Sequence, residues 1–97
     1  MKAAVLGTNG IEIREVERPK PGPEQVLVKV RAAGLNRADL IVASGRMHGP
    51  SGGPGTILGL ECAGEVAEVG SAVTHVKPGD RVMTSAGATY AEYAVAD

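Results

Sequence analysis

The chain has 97 residues, of which 43% are hydrophobic and 22% are charged, and its formal net charge is −1. This balance is typical of a globular protein, and the length predicts a single domain with a modest core. Its basic residues are scattered, and its aromatic residues are two Tyr. These features give no reason to expect nucleic acid or an anionic membrane as a partner.

No apolar run approaches the roughly 20 residues that a membrane-spanning helix needs. The short apolar stretch at the amino terminus is interrupted at Gly7, so we interpret it as a first strand and not as a signal peptide. The single cysteine, Cys62, cannot form an internal disulfide. It is expected to be a small buried residue, which favours a reducing, cytoplasmic setting.

The first part of the chain predicts a hairpin. Residues 2–6 and 11–16 form two strands, and Asn9-Gly10 between them suits two turn positions with positive φ. Residues 18–23 contain three prolines and are predicted to be an irregular connector, since proline cannot donate to a strand ladder.

The clearest strand covers residues 25–33. Val26, Val28 and Val30 alternate with Leu27, Lys29 and Arg31. The alternation predicts one aliphatic face and one charged face.

One short helix follows this strand. Asn36 suits its N-cap, Asp39 lies three residues later where a carboxylate can cap reciprocally, and Gly45 suits the stop.

The second half of the chain has a Gly- and Pro-rich loop at residues 46–56 and a strand at 62–69. Pro78-Gly79 is a natural type II turn that feeds another strand, and residues 90–95 form the last strand. Together these elements predict a mainly β fold, a partly open barrel of at least five short strands with one short helix.

The usual sequence motifs of cofactor and metal sites are missing. The Gly-rich residues 49–55 lack the G-x-G-x-x-G order, and no helix follows to present free N–H groups to a phosphate. His48, His75 and Cys62 do not have the spacing of a zinc site. The residues alone therefore predict neither a nucleotide site nor a metal site.

Several motifs follow one another in a characteristic order and spacing: Gly34-Leu35-Asn36-Arg37-Ala38-Asp39, Ser44-Gly45, Leu58-Gly59-Leu60-Glu61-Cys62-Ala63-Gly64-Glu65-Val66, Val69-Gly70, Val76-Lys77-Pro78-Gly79-Asp80-Arg81-Val82 and Tyr90-Ala91-Glu92-Tyr93. With these motifs the chain resembles, over essentially its whole length, the GroES-like amino-terminal domain of medium-chain dehydrogenases/reductases.

The departures from that pattern indicate a branch of the family. Zinc alcohol dehydrogenases of this family have zinc-binding Cys and His residues at the positions of Asn36 and Leu60, and a proton-relaying hydroxyl at that of Ala38. An amide and an aliphatic side chain are poor zinc ligands. The cysteine-rich lobe expected after Val82 is also missing. The chain is in these respects similar to the zinc-free quinone oxidoreductases.

The resemblance implies hydride transfer from NADPH to a small-molecule quinone or enone, in a parent enzyme that is a homodimer. In that family a nucleotide-binding Rossmann domain follows this segment. We therefore expect residues 1–97 to be a GroES-like domain fragment that is inactive alone and exposes apolar surface where its partner domain belongs.

The same resemblance implies the site residues. Asn36, Asp39 and Glu61 are the candidate catalytic residues, Asn36 and Leu60 are the candidate cofactor-binding residues, and no residue is a candidate metal ligand. Asn36 and Asp39 are equally interpreted as helix caps, and Glu61 as a paired carboxylate at a strand start. For Tyr90, a place in the core or at its rim is favoured.

Alternative functions remain open at the level of sequence. A co-chaperonin has a similar motif order, but it needs an aliphatic tripeptide in a loop, and residues 46–56 lack one. A zinc-free alcohol dehydrogenase or enoyl reductase is another alternative. Many enoyl-thioester reductases of the family carry a Tyr where this chain has Met47. A complete regulatory or structural domain is the last alternative.

Overall fold

The computed structural model describes residues 1–49 and 52–97. The strands and helix follow in the order β1 (Lys2–Gly7), β2 (Gly10–Glu15), β3 (Val26–Ala33), α1 (Arg37–Ala43), β4 (Glu61–Val69), β5 (Arg81–Ser85) and β6 (Tyr93–Ala96). β1 and β2 form an antiparallel hairpin, and the other strands form an antiparallel sheet in the order β5-β4-β3-β6. The predicted mainly β fold of short strands with one short helix is confirmed.

A short segment before β6 joins the hairpin to the sheet. The backbone N–H of Ala4 donates to the carbonyl of Tyr90 at 2.8 Å, and that of Glu92 donates to the carbonyl of Lys2 at 3.1 Å. The carbonyl of Glu92 also accepts from Val30 in β3 at 2.9 Å. The strands therefore curl into a partial barrel, which within the described residues is open at β2 and β5.

Two apolar clusters form the core. The larger one lies between β3, β4 and β6 and contains Val26, Val28, Cys62, Val66 and Ala96. Cys62 is 5% exposed, as expected for a structural cysteine, and burial raises the pKa of its thiol. The smaller cluster joins Val42 of α1 to Leu6 and Leu58, and it fixes the helix against β1.

The hairpin differs from its prediction by one residue. Thr8 and Asn9 are the turn residues, Gly7 pairs with Gly10, and only Gly10 has a positive φ, of 105°. The prediction that Asn9 and Gly10 form the turn was therefore wrong, because Gly10 follows the two turn residues and begins β2.

The alternation predicted along the third strand holds only in part. Leu27, placed on the charged face, is 0% exposed, and it lies between the equally buried Val26 and Val28. β3 is an interior strand, paired on one side with β4 and on the other with β6, and interior strands can be covered on both faces. Lys29 and Arg31 further along are exposed as predicted.

The turn at Pro78-Gly79 is confirmed. Gly79 has a φ of 94°, and the N–H of Asp80 donates to the carbonyl of Lys77 at 3.1 Å. The last strand begins at Tyr93 and not at residue 90, because residues 90–92 pair with β1. Within the predicted loop at 46–56, Pro50 and Ser51 lie outside the described residues.

In the described part of the chain, no helix has both the length and the apolar character needed to cross a membrane.

Candidate functional site

The start of helix α1 is built as its sequence predicted. Asn36 occupies the N-cap with extended backbone angles of φ −127° and ψ 152°. Its backbone N–H donates to Oδ2 of Asp39 at 2.9 Å, which is the reciprocal half of a capping box. This bond fixes Asp39 in a buried position, with 8% of the residue exposed.

The side chain of Asn36 points to a second carboxylate. Its Nδ2 donates to Oε2 of Glu61 at 3.3 Å. Glu61 begins β4, and its carbonyl accepts from the N–H of Gly34 at 3.2 Å. An amide carries two N–H donors, and no described residue accepts from the second one. The Asn36 amide is therefore held by Glu61 with one donor to spare.

Asp39 has another partner from far along the chain. The hydroxyl of Tyr90 donates to Oδ2 of Asp39 at 2.6 Å. Burial, followed by this hydrogen bond and the negative charges of Asp39 and Glu61, raises the pKa of Tyr90 to about 12. The phenol therefore stays a neutral donor at any physiological pH.

Asn36, Asp39 and Tyr90 line an open recess of about 630 Å³. Its walls are apolar side chains from the hairpin, from α1 and its flanks, and from the segment before β4. They are Ile11, Leu35, Leu40, Ala43 and Leu58, with Asn36, Arg37, Asp39 and Tyr90 completing the lining. Leu35 is 86% exposed and Leu40 is 71% exposed, so the recess presents a large apolar surface together with these polar groups.

The structure brings together three of the four residues proposed from the resemblance. Asn36, Asp39 and Glu61 are linked by hydrogen bonds. Leu60 instead lines a separate cavity of about 20 Å³, which has room for little more than one water molecule. The catalytic and cofactor-binding roles of all four residues stay predictions.

The bond from Tyr90 to Asp39 was missed in the sequence. A partly buried Tyr needs a hydrogen-bond partner for its hydroxyl, so the placement of Tyr90 near the core did signal that some polar group lies within reach. The partner, 51 residues away, could not be read from spacing.

The described side chains do not form a cluster of metal ligands. Within residues 1–49 and 52–97 no group of three or more His, Cys, Asp or Glu side chains is arranged to hold a metal ion. The polar groups that line the recess are the Asn36 amide, the Arg37 guanidinium, the Asp39 carboxylate and the Tyr90 phenol.

Residues 22–97 match the alcohol dehydrogenase GroES-like domain family. The chain belongs to this family. It is thus a GroES-like domain of the kind found at the amino terminus of medium-chain dehydrogenases/reductases, as the motif order indicated.

Curated relatives of this GroES-like domain include oxidoreductases. The chain is 44% identical over 89 residues to acryloyl-coenzyme A reductase of Metallosphaera sedula, a match that covers 87% of this chain and 25% of the relative. It is 45% identical over 85 residues to quinone oxidoreductase of Pseudomonas aeruginosa, covering 88% of this chain and 26% of the relative. The chain therefore spans about a quarter of the length of these relatives.

Solved structures share the fold of the domain. An alcohol dehydrogenase superfamily protein from Novosphingobium aromaticivorans matches with a TM-score of 0.90 and 33% identity, over 100% of this chain and 32% of that one. A mycobacterial protein solved with NADPH matches with a TM-score of 0.82 and 34% identity, over 99% and 31%. A cobalt- and zinc-bound alcohol dehydrogenase from Pyrobaculum aerophilum matches with a TM-score of 0.86 and 31% identity, over 99% and 39%.

Proposed function

We propose that this chain is the substrate-side domain of an NADPH-dependent oxidoreductase that transfers a hydride to a quinone or enone without zinc, and that it is inactive alone. The observation that carries the proposal is the Asn36 amide in the lining of the apolar recess. One of its N–H groups is held by Glu61, at 3.3 Å, and the other is uncommitted among the described residues.

The recess suits a flat, largely apolar ring that carries a carbonyl oxygen. Its volume of about 630 Å³ is in the range of small-molecule sites. A ring would lie against Leu35, Leu40 and Leu58, and its carbonyl oxygen would accept from the free N–H of Asn36. Such a neutral donor stabilises negative charge that develops on oxygen when a hydride reaches the conjugated system.

The nicotinamide ring fits the same surface, because it is flat and carries an amide. A bound nicotinamide would supply the hydride, and the side chains would supply orientation and hydrogen bonds. Asn36 is the residue of this chain best placed to meet it. The family resemblance also implies that Leu60 contacts the cofactor, although Leu60 lines the small separate cavity.

The absence of zinc is supported by the chemistry of the side chains. Amide nitrogen and aliphatic groups at positions 36 and 60 do not provide the thiolate or imidazole that zinc prefers. Because the family also contains a zinc- and cobalt-bound alcohol dehydrogenase, this part of the proposal needs its own measurement.

We also propose that the domain is part of a longer, cytoplasmic, homodimeric enzyme. A match to about a quarter of each curated relative supports a longer parent in which a nucleotide-binding domain completes the enzyme. A buried, unpaired Cys62 is compatible with a reducing, cytoplasmic location. The homodimer expected from the resemblance is part of the same proposal.

A second candidate substrate is an enoyl thioester, because the chain is 44% identical to an acryloyl-coenzyme A reductase. Met47, which stands where many such reductases carry a proton-donating Tyr, is 56% exposed and has no acidic proton. Quinone is favoured on this ground.

Calorimetry with NADPH tests whether the cofactor is bound mainly by a domain outside these 97 residues. We expect no binding to the 97-residue chain and micromolar binding to the parent that carries the nucleotide-binding domain. The parent is then assayed for NADPH oxidation with 1,4-benzoquinone and with acryloyl-coenzyme A. Turnover of the quinone supports the proposal, turnover of the thioester alone selects the second candidate, and tight NADPH binding by the 97 residues contradicts the domain assignment.

A further inference from the structure

Two hydrogen bonds converge on one buried oxygen beside the recess. Oδ2 of Asp39 accepts from the hydroxyl of Tyr90 at 2.6 Å and from the backbone N–H of Asn36 at 2.9 Å. Asp39 has no direct hydrogen bond to Glu61 or to the Asn36 amide among the described contacts. The tyrosine therefore reaches the amide residue through the carboxylate.

The backbone around Tyr90 is held firmly. Its N–H donates to the carbonyl of Leu58, and its carbonyl accepts from the N–H of Ala4, both at 2.8 Å. These bonds tie the phenol to β1 and to the segment before β4. The Tyr90 backbone therefore has a fixed position, and this position determines where its side-chain hydroxyl lies.

The two residues before Tyr90 each have a feature that lowers the free energy of unfolding. Ala88 has a φ of 57°, the only positive φ at a non-glycine residue in the described chain. Thr89 is 0% exposed, and its Oγ1 bonds to no described residue. Backbone strain and an unpaired buried hydroxyl each destabilise a fold, and such costs cluster where a structure positions a functional group.

We propose that Tyr90 is a positioning residue for Asn36: its hydroxyl orients the Asp39 carboxylate, which in turn fixes the Asn36 backbone and so aims the Asn36 amide into the recess. The meaning of this arrangement for catalysis rests on the proposed function. The arrangement itself does not, because it concerns contacts within this chain.

The chemistry of the phenol agrees with such a role. The raised pKa of Tyr90, about 12, keeps its proton in place, so the hydroxyl is a constant donor and a poor acid. Tyr90 therefore acts by holding geometry, and the proton delivered to a reduced product comes from elsewhere.

The first test uses the 97-residue chain with isotope labels. In Tyr90→Phe, we expect the backbone N–H of Asn36 to exchange with solvent at least ~10-fold faster, since Asp39 loses its second donor, and we expect the side-chain amide signals of Asn36 to shift. The matched control is Tyr93→Phe, because the Tyr93 ring lies under the Arg18 guanidinium at 4.0 Å, away from Asp39. Unchanged Asn36 signals in a folded Tyr90→Phe variant would overturn the proposal.

A second measurement covers the case in which Tyr90→Phe does not fold. In the unmodified chain, acid titration is followed at the Asp39 carboxyl carbon, the Tyr90 ring carbon that bears oxygen, and the Asn36 backbone nitrogen. We expect all three signals to share one midpoint. A Tyr90 signal that does not move with Asp39 would refute the linkage.

The last test uses the complete enzyme. A misplaced group costs catalysis more than binding, so Tyr90→Phe should lower kcat for quinone reduction by on the order of 10–100-fold while the KM for NADPH changes little. Equal kcat values in Tyr90→Phe and the parent would contradict a catalytic consequence. If the parent reduces no quinone, the proposed function fails, and the Asn36 signals alone decide this inference.

Discussion

Gly64 in β4 lies against the carbonyl oxygen of Lys29 in β3, so closely that a Cβ at position 64 would overlap that oxygen. The neighbouring contact of the same Cβ would be Cγ1 of Val28, a core residue that is 1% exposed. The absent side chain lets the two central strands approach each other, and it explains why a glycine stands in the middle of a nine-residue strand.

Gly64→Ala should therefore destabilise the domain by about 1–3 kcal/mol, because backbone atoms of β3 must move to admit the methyl group. Gly87→Ala is the matched control, since a Cβ there meets no atom within 4 Å. Urea unfolding of both variants provides the comparison. Equal losses would show that β3 and β4 tolerate a wider spacing than the structure has.

The free energy of unfolding should decrease at alkaline pH because Tyr90 ionises. Its pKa is raised in the folded state from 10.0 to about 12, so the folded chain holds the proton more tightly than the unfolded one. This contribution is complete below pH 10 and is lost as pH rises towards 12. Thermal melts between pH 9 and pH 12 should fall more steeply for the unmodified chain than for Tyr90→Phe.

Tyrosinate absorbance supplies the control for that experiment. In Tyr93→Phe, the remaining tyrosine is Tyr90, and its titration midpoint should lie near 12 as long as the chain is folded. A midpoint near 10 in folded protein would mean that in solution the phenol is neither buried nor bonded to Asp39 as in the structure.

The parts of the fold that follow local rules were predictable from the sequence. Asn36, Asp39 and Gly79 act through contacts a few residues away, and each was placed correctly. One error was local, the assignment of the turn residues between β1 and β2. The other errors concern residues whose environment is set by distant strands. Leu27 is covered because β3 lies between β4 and β6, and the last strand starts late because residues 90–92 pair with β1.

The candidate site divides in the same way. Asn36 and Asp39 share one helix turn, so their bond could be expected from sequence. The bonds from Asn36 to Glu61 and from Asp39 to Tyr90 join residues 25 and 51 positions apart. Only the curled sheet brings these residues together, and no spacing rule could have predicted the second bond.

The contribution of the Glu61 side-chain position can be tested without substituting Glu61 itself. Gly34 lies against the Glu61 side chain, and a Cβ at position 34 would overlap the carboxylate. Gly34→Ala should displace Glu61 and release the Asn36 amide, lowering kcat of the complete enzyme by about 10-fold. Side-chain amide signals of Asn36 report the displacement directly, and their persistence at unchanged positions would contradict it.

Zinc content is the most direct test of the branch assignment. We expect well below ~0.1 zinc per chain by elemental analysis after dialysis, because Asn36 and Leu60 offer no thiolate or imidazole. The matched variant Asn36→Cys with Leu60→His introduces both ligand types and should raise the retained zinc. Stoichiometric zinc in the unmodified protein would move it to the metal-dependent branch.

The apolar recess should make the isolated domain bind hydrophobic dyes. Replacing Leu35 and Leu40, which are 86% and 71% exposed, by Ser should reduce the fluorescence of bound dye by about half or more. Met83→Ser is the control, since Met83 is also 86% exposed but lies on β5. A similar decrease in all variants would locate the dye elsewhere.

The joint at residues 90–92 also sets the order in which the domain is completed during synthesis. β1 emerges before β2 and can pair with it at once, and the carboxyl half of its other edge can pair with residues 55–58, but the Lys2–Ala4 half of that edge waits for residues 90–92. Until then the nascent chain presents a short unpaired strand edge, which is a template for pairing with other chains. Chains stalled before Tyr90 should therefore aggregate more readily than chains extended past Ala96.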